Sequence, residues 1–296
     1  MNKILVLHRR FCDYSITFKG NTPRTIKWFK ECVSYLVNQT GAGELSDLTR
    51  ELIEDWIFTG KRERDWSAQT IRNRLICLNS FFKWLIDQEY ISENPVAKIP
   101  RPKVPKRIPR HLTKEQAMEL LEWAQNYPYD YKFDRTRAVA IIATFLYTGI
   151  RREELRNLQM HHVDLSNRTL VVRSGKGEKD RMVPLNTRLI EFLEDYLKDR
   201  RRLKKCNPYF FSAMRSDKRM GELVIPRLVH KIRQKSGIHF YPHLLRHTFA
   251  TLMLEGGCNI YALSKMLGHS DIKTTTIYLA ATTAHLQEQI MKHPLD

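Results

Sequence analysis

No two cysteines in this 296-residue chain stand at C-x-x-C spacing. Cys12, Cys32, Cys77, Cys206 and Cys258 are scattered and odd in number. That pattern argues against a disulfide framework and against a structural zinc site, and leaves ordinary reduced thiols of a cytosolic protein. Long apolar runs are missing as well. The opening M-N-K-I-L-V-L-H-R-R is too short in its apolar part for a signal peptide, and no stretch approaches the length needed to span a bilayer. A soluble, cytoplasmic protein is expected. The phosphate-binding pattern G-x-x-x-x-G-K-[ST] does not occur, so the G-K-G around Lys176 is no P-loop. No internal repeat or low-complexity tract stands out.

Acid is scarce. Lys plus Arg total 50 against 32 Asp plus Glu, a formal charge of +18 with a pI near 9.8. A surplus that large favours a polyanionic partner. It is unevenly spread: residues 1–100 hold 15 basic and 12 acidic side chains, whereas residues 101–110 (R-P-K-V-P-K-R-I-P-R) hold five basic residues and no acid. The remaining excess follows residue 110. A single charge run is usually a solvated face; three separate basic regions favour nucleic acid.

The hydropathy pattern divides the chain. Thr22 is placed to cap a helix with Pro23 at its first position, and Phe29, Val33, Leu36 and Val37 follow at helical spacing until Gly41 and Gly43. A shorter helix is predicted over Leu48 to Phe58. Another begins at Ser67, with Ile71, Leu75, Leu78, Phe82 and Leu85 on one stripe, and these stripes read as core. The opposite faces carry Lys27, Lys30, Arg72, Arg74 and Lys83, which face either a nucleic-acid backbone or water. Asn94-Pro95 ends the helical part. Pro100, Pro102, Pro105 and Pro109 then impose an extended strap whose charges, Arg101, Lys103, Lys106, Arg107 and Arg110, suit phosphate tracking. The spans are therefore 1–100, a linker at 101–111, and 112–296.

The second domain opens on a capping box, Thr113 with Gln116. Ala138 to Tyr147 is almost wholly apolar and reads as a buried helix closed by Gly149, with the next helix starting at Arg152. Thr169–Val172 and Arg181–Pro184 flank a glycine turn, the pattern of a β-hairpin. Helices are predicted again over Leu189 to Arg202, Pro242 to Leu254, Ile260 to Leu267, and from Thr274 onward. The fold class is mainly α, with a small antiparallel sheet in the second domain.

Five short motifs stand in a set order: T-G-I-R-R-E-E-L (148–155), S-G-K-G-E-K (174–179), H-L-L-R-H (243–247), L-G-H-S (267–270) and T-T-T-I-Y-L (274–279). Each has an ordinary reading. Arg151 alone is a surface arginine at a helix start, Lys176 a polar hairpin turn, His243 a solvated histidine, Tyr278 a core tyrosine. Together they supply what phosphodiester cleavage needs. Arg151 and Arg246 offer fixed charge for non-bridging oxygens. His243 stands at i, i+3 to Arg246 and can move a proton. Lys176 sits between two glycines that can carry it to a ligand. His269 stands at a corner after Gly268. Tyr278 becomes a plausible nucleophile if cations lower its phenol pKa. Glu154, one helical turn from Arg151, is placed to fix it.

On these motifs the chain resembles the tyrosine recombinase (phage integrase) family, and is most similar to Xer-type members over nearly its whole length. T-I-R-N-R-L-I-C-L-N-S-F-F-K-W-L followed by E-N-P resembles the family's helical core-binding (SAM-like) domain, and M-K-H-P-L near the end is also Xer-like. The resemblance implies that Arg151 and Arg246 bind the scissile phosphate, and that Lys176 protonates the leaving 5′-oxygen. It makes His243 a proton acceptor and hydrogen-bond partner, His269 a hydrogen-bond donor to phosphate, Tyr278 the nucleophile, and Glu154 the supporting acid. It further implies a 3′-phosphotyrosyl intermediate, no metal and no cofactor, and double-stranded DNA with paired half-sites. A homotetramer would act through a Holliday junction, with a C-terminal helix over 282–292 exchanged between protomers. A type IB topoisomerase and a non-catalytic DNA-binding protein on the same scaffold are the alternatives. Neither the target sequence nor the choice among dimer resolution, integration and transposition is legible here.

Overall fold

The computed structural model describes residues 2–105, 109–173, 180–269 and 271–278. The chain divides into two compact units, Met1–Lys106 and Arg107–Asp296.

Among the described residues the first unit has four α-helices: α1 (Lys3–Thr17), α2 (Pro23–Thr40), α3 (Arg50–Arg64) and α4 (Ala68–Asp87). Each begins with a side-chain cap, supplied in turn by Asn2, Thr22, Thr49 and Ser67. These satisfy backbone N–H groups that have no partner inside the helix. Gly41 closes α2 in the left-handed region at φ 73. Ile4, Leu7 and Phe11 of α1 pack with Phe29, Val33 and Leu36 of α2 and with Leu75, Leu78, Phe81, Phe82 and Leu85 of α4. The helix α1 occupies the opening segment, which the hydropathy pattern assigns to no element. Its apolar face follows helical spacing but also carries His8 and Cys12, both buried. The helix expected at Leu48–Phe58 runs on to Arg64, where Gly60 lets the Trp66 ring close over it. A Cβ at Gly60 would stand 2.3 Å from that ring.

The second unit is centred on α6 (Lys132–Thr148), buried along Ala138–Leu146. Around it pack α5 (Lys114–Asn126), α8 (Thr187–Arg202) and α10 (Pro242–Glu255). The capping box of Thr113 and Gln116 starts α5. After Gly149 comes α7 (Arg152–Asn157). Three antiparallel strands follow in the order β1 (Val163–Asp164), β2 (Thr169–Val172) and β3 (Arg181–Pro184), with Leu170 opposite Val183 and Val172 opposite Arg181. The sheet thus has a strand beyond the expected hairpin. No helix is predicted over 203–241, yet α9 (Val224–Ser236) lies there, burying Ile225, Leu228 and Ile232. Pro226 falls in its first turn, where a missing N–H breaks no helical bond. Two short helices, α11 (Ile260–Leu267) and α12 (Lys273–Thr276), complete the described part.

Candidate active site

Gly149 fixes the first corner of the site. It sits at φ 60, and a Cβ there would lie 2.4 Å from the Phe249 ring of α10 and 3.1 Å from Leu267 of α11. Only glycine serves where positive φ and close approach coincide. The tight turn puts Arg151 at the N-cap of α7 and aims the Gly149 carbonyl at α10.

That carbonyl accepts a hydrogen bond from Arg246 Nη1 at 2.7 Å, while Nη2 donates to the Leu267 carbonyl at 2.7 Å. Arg246 is 4% exposed. Burial, and next the charge of Arg151, pull its pKa down to about 10, with Glu154 opposing. It stays cationic at neutral pH. Its Nη2 also lies 3.0 Å from His269 Nε2. A guanidinium has no acceptor, so it donates there and His269 Nε2 accepts. The imidazole proton then sits on Nδ1, which donates to Thr275 Oγ1 at 2.8 Å. Burial, and then the charges of Arg246, Arg151 and Arg181, bring the His269 pKa down to about 4. In this arrangement His269 is a neutral acceptor toward Arg246.

Glu154 is the hub on the other side. Its carboxylate accepts from the Arg151 backbone N–H at 2.6 Å and from Arg151 Nη1 at 3.1 Å. It also accepts from Arg181 Nη1 at 2.8 Å and Nη2 at 2.7 Å. Burial works to raise its pKa, but the hydrogen bonds and charges of Arg181 and Arg151 together hold it below the ordinary glutamate value. Three arginines around one carboxylate leave a net positive pocket suited to an anion.

Tyr278 is 2% exposed and packs against Phe249, Leu254, Leu263 and Leu267. Its hydroxyl lies 2.9 Å from His247 Nδ1. Burial raises its pKa, and Arg246 only partly opposes this. The sequence expectation is a phenol pKa lowered by nearby cations; desolvation wins instead because the ring lies within an apolar cluster. His243, the second residue of α10, is exposed, and its charge acts on His247. Lys176 lies outside the described residues, as do Lys106, Arg107 and the 282–292 segment.

Of the residues offered for DNA contact, Arg101, Lys103 and Arg110 are exposed in non-helical chain, and Arg72 is half-buried on α4. Arg74 has a packing role: its guanidinium lies 4.0 Å from the Trp66 ring centroid, 4.5 Å from Tyr35 and 5.2 Å from Trp56. Three site residues are absent from the sequence-predicted set: Arg181, His247 and Thr275. Only Arg181 carries a clear signal. Strand alternation puts it on the buried face with Val183, while Met182 points outward, and an inward-facing arginine requires a partner. Among the described residues no cluster of His, Cys, Asp or Glu is suited to hold a metal ion.

A mostly helical domain with three clustered arginines, a bridging glutamate and a buried tyrosine whose hydroxyl meets a histidine defines an anion-binding site with a phenol beside it. Residues 110–285 match the model of the phage integrase family. A XerA tyrosine recombinase of Pyrococcus horikoshii is 34% identical over 289 residues, covering 96% of this chain and 92% of its own. A XerC tyrosine recombinase of Actinobacillus pleuropneumoniae is 30% identical over 290 residues, with the same shares of each chain covered. Among solved structures, a XerA recombinase aligns over 99% of both chains with 28% identity and a TM-score of 0.54. A XerH recombinase bound to palindromic difH substrate in a post-cleavage complex aligns over 96% of this chain and 83% of its own, at 21% identity and a TM-score of 0.74. The chain belongs to the phage integrase family and is a tyrosine-type, site-specific DNA recombinase.

Proposed function

We propose that Tyr278 attacks a DNA phosphodiester held between Arg151 and Arg246. The phenolic oxygen forms a bond to phosphorus as the bond to the 5′-oxygen breaks. The phenol gives up its proton, with His243 as acceptor, and the departing 5′-oxygen takes one from Lys176. The products are a 3′-phosphotyrosyl link and a free 5′-hydroxyl. Bond number and charge balance, so neither metal nor nucleotide is consumed. Glu154 keeps Arg151 in place. His269 donates to a phosphate oxygen once the bound anion favours its protonated form.

The observation that carries this reading is the anchoring of Arg246. A buried cation with two backbone carbonyls fixed on its donors, within electrostatic reach of both Arg151 and Tyr278, is costly unless it serves an anion. The phenol is sequestered beside His247, so cleavage requires the 271–278 segment to bring the hydroxyl to the phosphate. We further propose that residues 1–100 act as a core-binding domain on the duplex, with Arg72 and the strap of 101–111 contacting phosphates. Four protomers would assemble on paired half-sites, exchange the 282–292 segment, and resolve a Holliday junction in the cytoplasm.

The test uses a nicked suicide duplex that lets the cleaved fragment diffuse away. Wild-type protein should give a denaturant-resistant protein–DNA band, and Tyr278→Phe should bind the duplex and give none. No adduct from wild type on any cognate site would defeat the catalytic reading.

A further inference from the structure

Arg181 stands on β3, five residues after Lys176 in sequence, and its side chain is 6% exposed. Its guanidinium donates to three acceptors on two different elements. Nη1 and Nη2 grip the two Glu154 oxygens in parallel, and Nε donates to the Met266 carbonyl of α11 at 2.8 Å. The far side of the group lies against Gly268, where a Cβ would meet Arg181 Cδ at 2.7 Å and Nε and Nη1 at 3.0 Å. Gly268 holds φ 69, so the same glycine both ends α11 and makes room for the arginine.

The consequence is directional. Met266 and Gly268 clamp Arg181, so the fork it presents is rigid. That fork fixes both oxygens of Glu154, whose remaining hydrogen-bonding capacity then goes to the backbone N–H and Nη1 of Arg151. Arg151 is 31% exposed and caps a helix of only six residues, and Glu154 holds both its backbone N–H and its guanidinium. Without Arg181, Glu154 would be a half-satisfied buried carboxylate free to swing or to compete with the phosphate for Arg151.

We infer that Arg181 is a positioning residue for strand cleavage: acting through Glu154, it sets the orientation in which Arg151 meets the scissile phosphate. Its bidentate geometry makes lysine no substitute, because one ammonium cannot span both carboxylate oxygens and the Met266 carbonyl. The inference rests on the reading of Arg151 as a phosphate ligand.

Single-turnover cleavage of the suicide duplex at saturating protein separates the possibilities. It is measured for wild type, Arg181→Lys, Arg181→Gln, Glu154→Gln and the Arg181→Gln/Glu154→Gln pair, with DNA affinity and folded fraction read alongside. A misplaced phosphate ligand costs on the order of 100-fold in rate. We expect both Arg181 variants to lose about that much in the cleavage rate constant, with burst amplitude and DNA Kd near wild type. The double variant should be within about twofold of the slower single variant, since one variant already removes the shared pathway. A merely structural role would lower the amplitude and leave the rate constant of the surviving molecules unchanged, which would overturn the inference. So would losses that multiply in the double variant, or a lysine variant at the wild-type rate. If Arg181→Gln fails to fold, the lysine variant alone decides. If wild type itself forms no adduct, the catalytic reading fails first, independently of Arg181.

Discussion

Replacing Gly149 by alanine isolates how much the corner beneath Arg246 depends on the absence of a side chain. Two penalties apply. Holding an L-residue in the left-handed region costs about 1–2 kcal/mol. Forcing a methyl group to 2.4 Å from Phe249 and 3.1 Å from Leu267 adds an overpacking cost of about 1–3 kcal/mol. Gly237 provides the internal control: it ends α9 at φ 69 with nothing within 4 Å of its missing Cβ, so Gly237→Ala should incur only the first cost. Gly149→Ala should therefore lose roughly 2–5 kcal/mol, a Tm drop of about 4–20 °C for a unit of this size, against about 1–2 kcal/mol for Gly237→Ala. Differential scanning calorimetry on the full chain reads both. Because the Gly149 carbonyl holds Arg246 Nη1, the variant should also cleave more slowly at temperatures where it remains folded. Equal melting losses for the two alanine variants would refute the packing argument.

Other consequences follow from the charges. Burial, reinforced by Lys30, brings the His8 pKa down to about 4. The folded state therefore resists protonation that the unfolded chain accepts near 6.5, so this contribution is complete above that pH and is lost as pH falls toward 4. By that linkage His8 should account for about 2 kcal/mol of lost stability between about pH 8 and about pH 5. Urea titrations of His8→Leu should show a shallower acid limb, and an unchanged limb would be evidence against it. Arg74→Ala should destabilise the first unit by about 1–2 kcal/mol through loss of its aromatic cage, read by tryptophan fluorescence in denaturant, while leaving the salt slope of DNA binding unaltered. Arg101→Gln/Lys103→Gln should instead reduce that slope by about 0.9 for each phosphate that is no longer neutralised. A slope change in Arg74→Ala, or none in the strap variant, would reverse the two assignments.

The proposed catalytic set can be named from the sequence because it travels in short motifs whose order carries information that no single member does. Helices whose caps and stripes are local are legible for the same reason: Thr22, Ser67 and Thr113 each begin a helix in the structure. What stays hidden is tertiary. Arg181 binds Glu154 across 27 residues of sequence, and His247 meets Tyr278 across 31. Arg74 looks like a phosphate ligand in sequence because its aromatic partners, Tyr35, Trp56 and Trp66, come from other segments. Burial holds the Tyr278 phenol pKa above its ordinary value, since the apolar cluster that receives the ring outweighs the cations near it. The helix α9 is hard to see because a proline in a first turn resembles a proline that breaks one.

The most direct measurement of the central claim is the chemical identity of the adduct. Wild-type protein is reacted with the suicide duplex, digested with nuclease and trypsin, and sequenced by mass spectrometry. A nucleotide 3′-phosphate on Tyr278, absent from Tyr278→Phe, is the predicted result. An adduct on any other residue, or its persistence in the phenylalanine variant, would contradict the account.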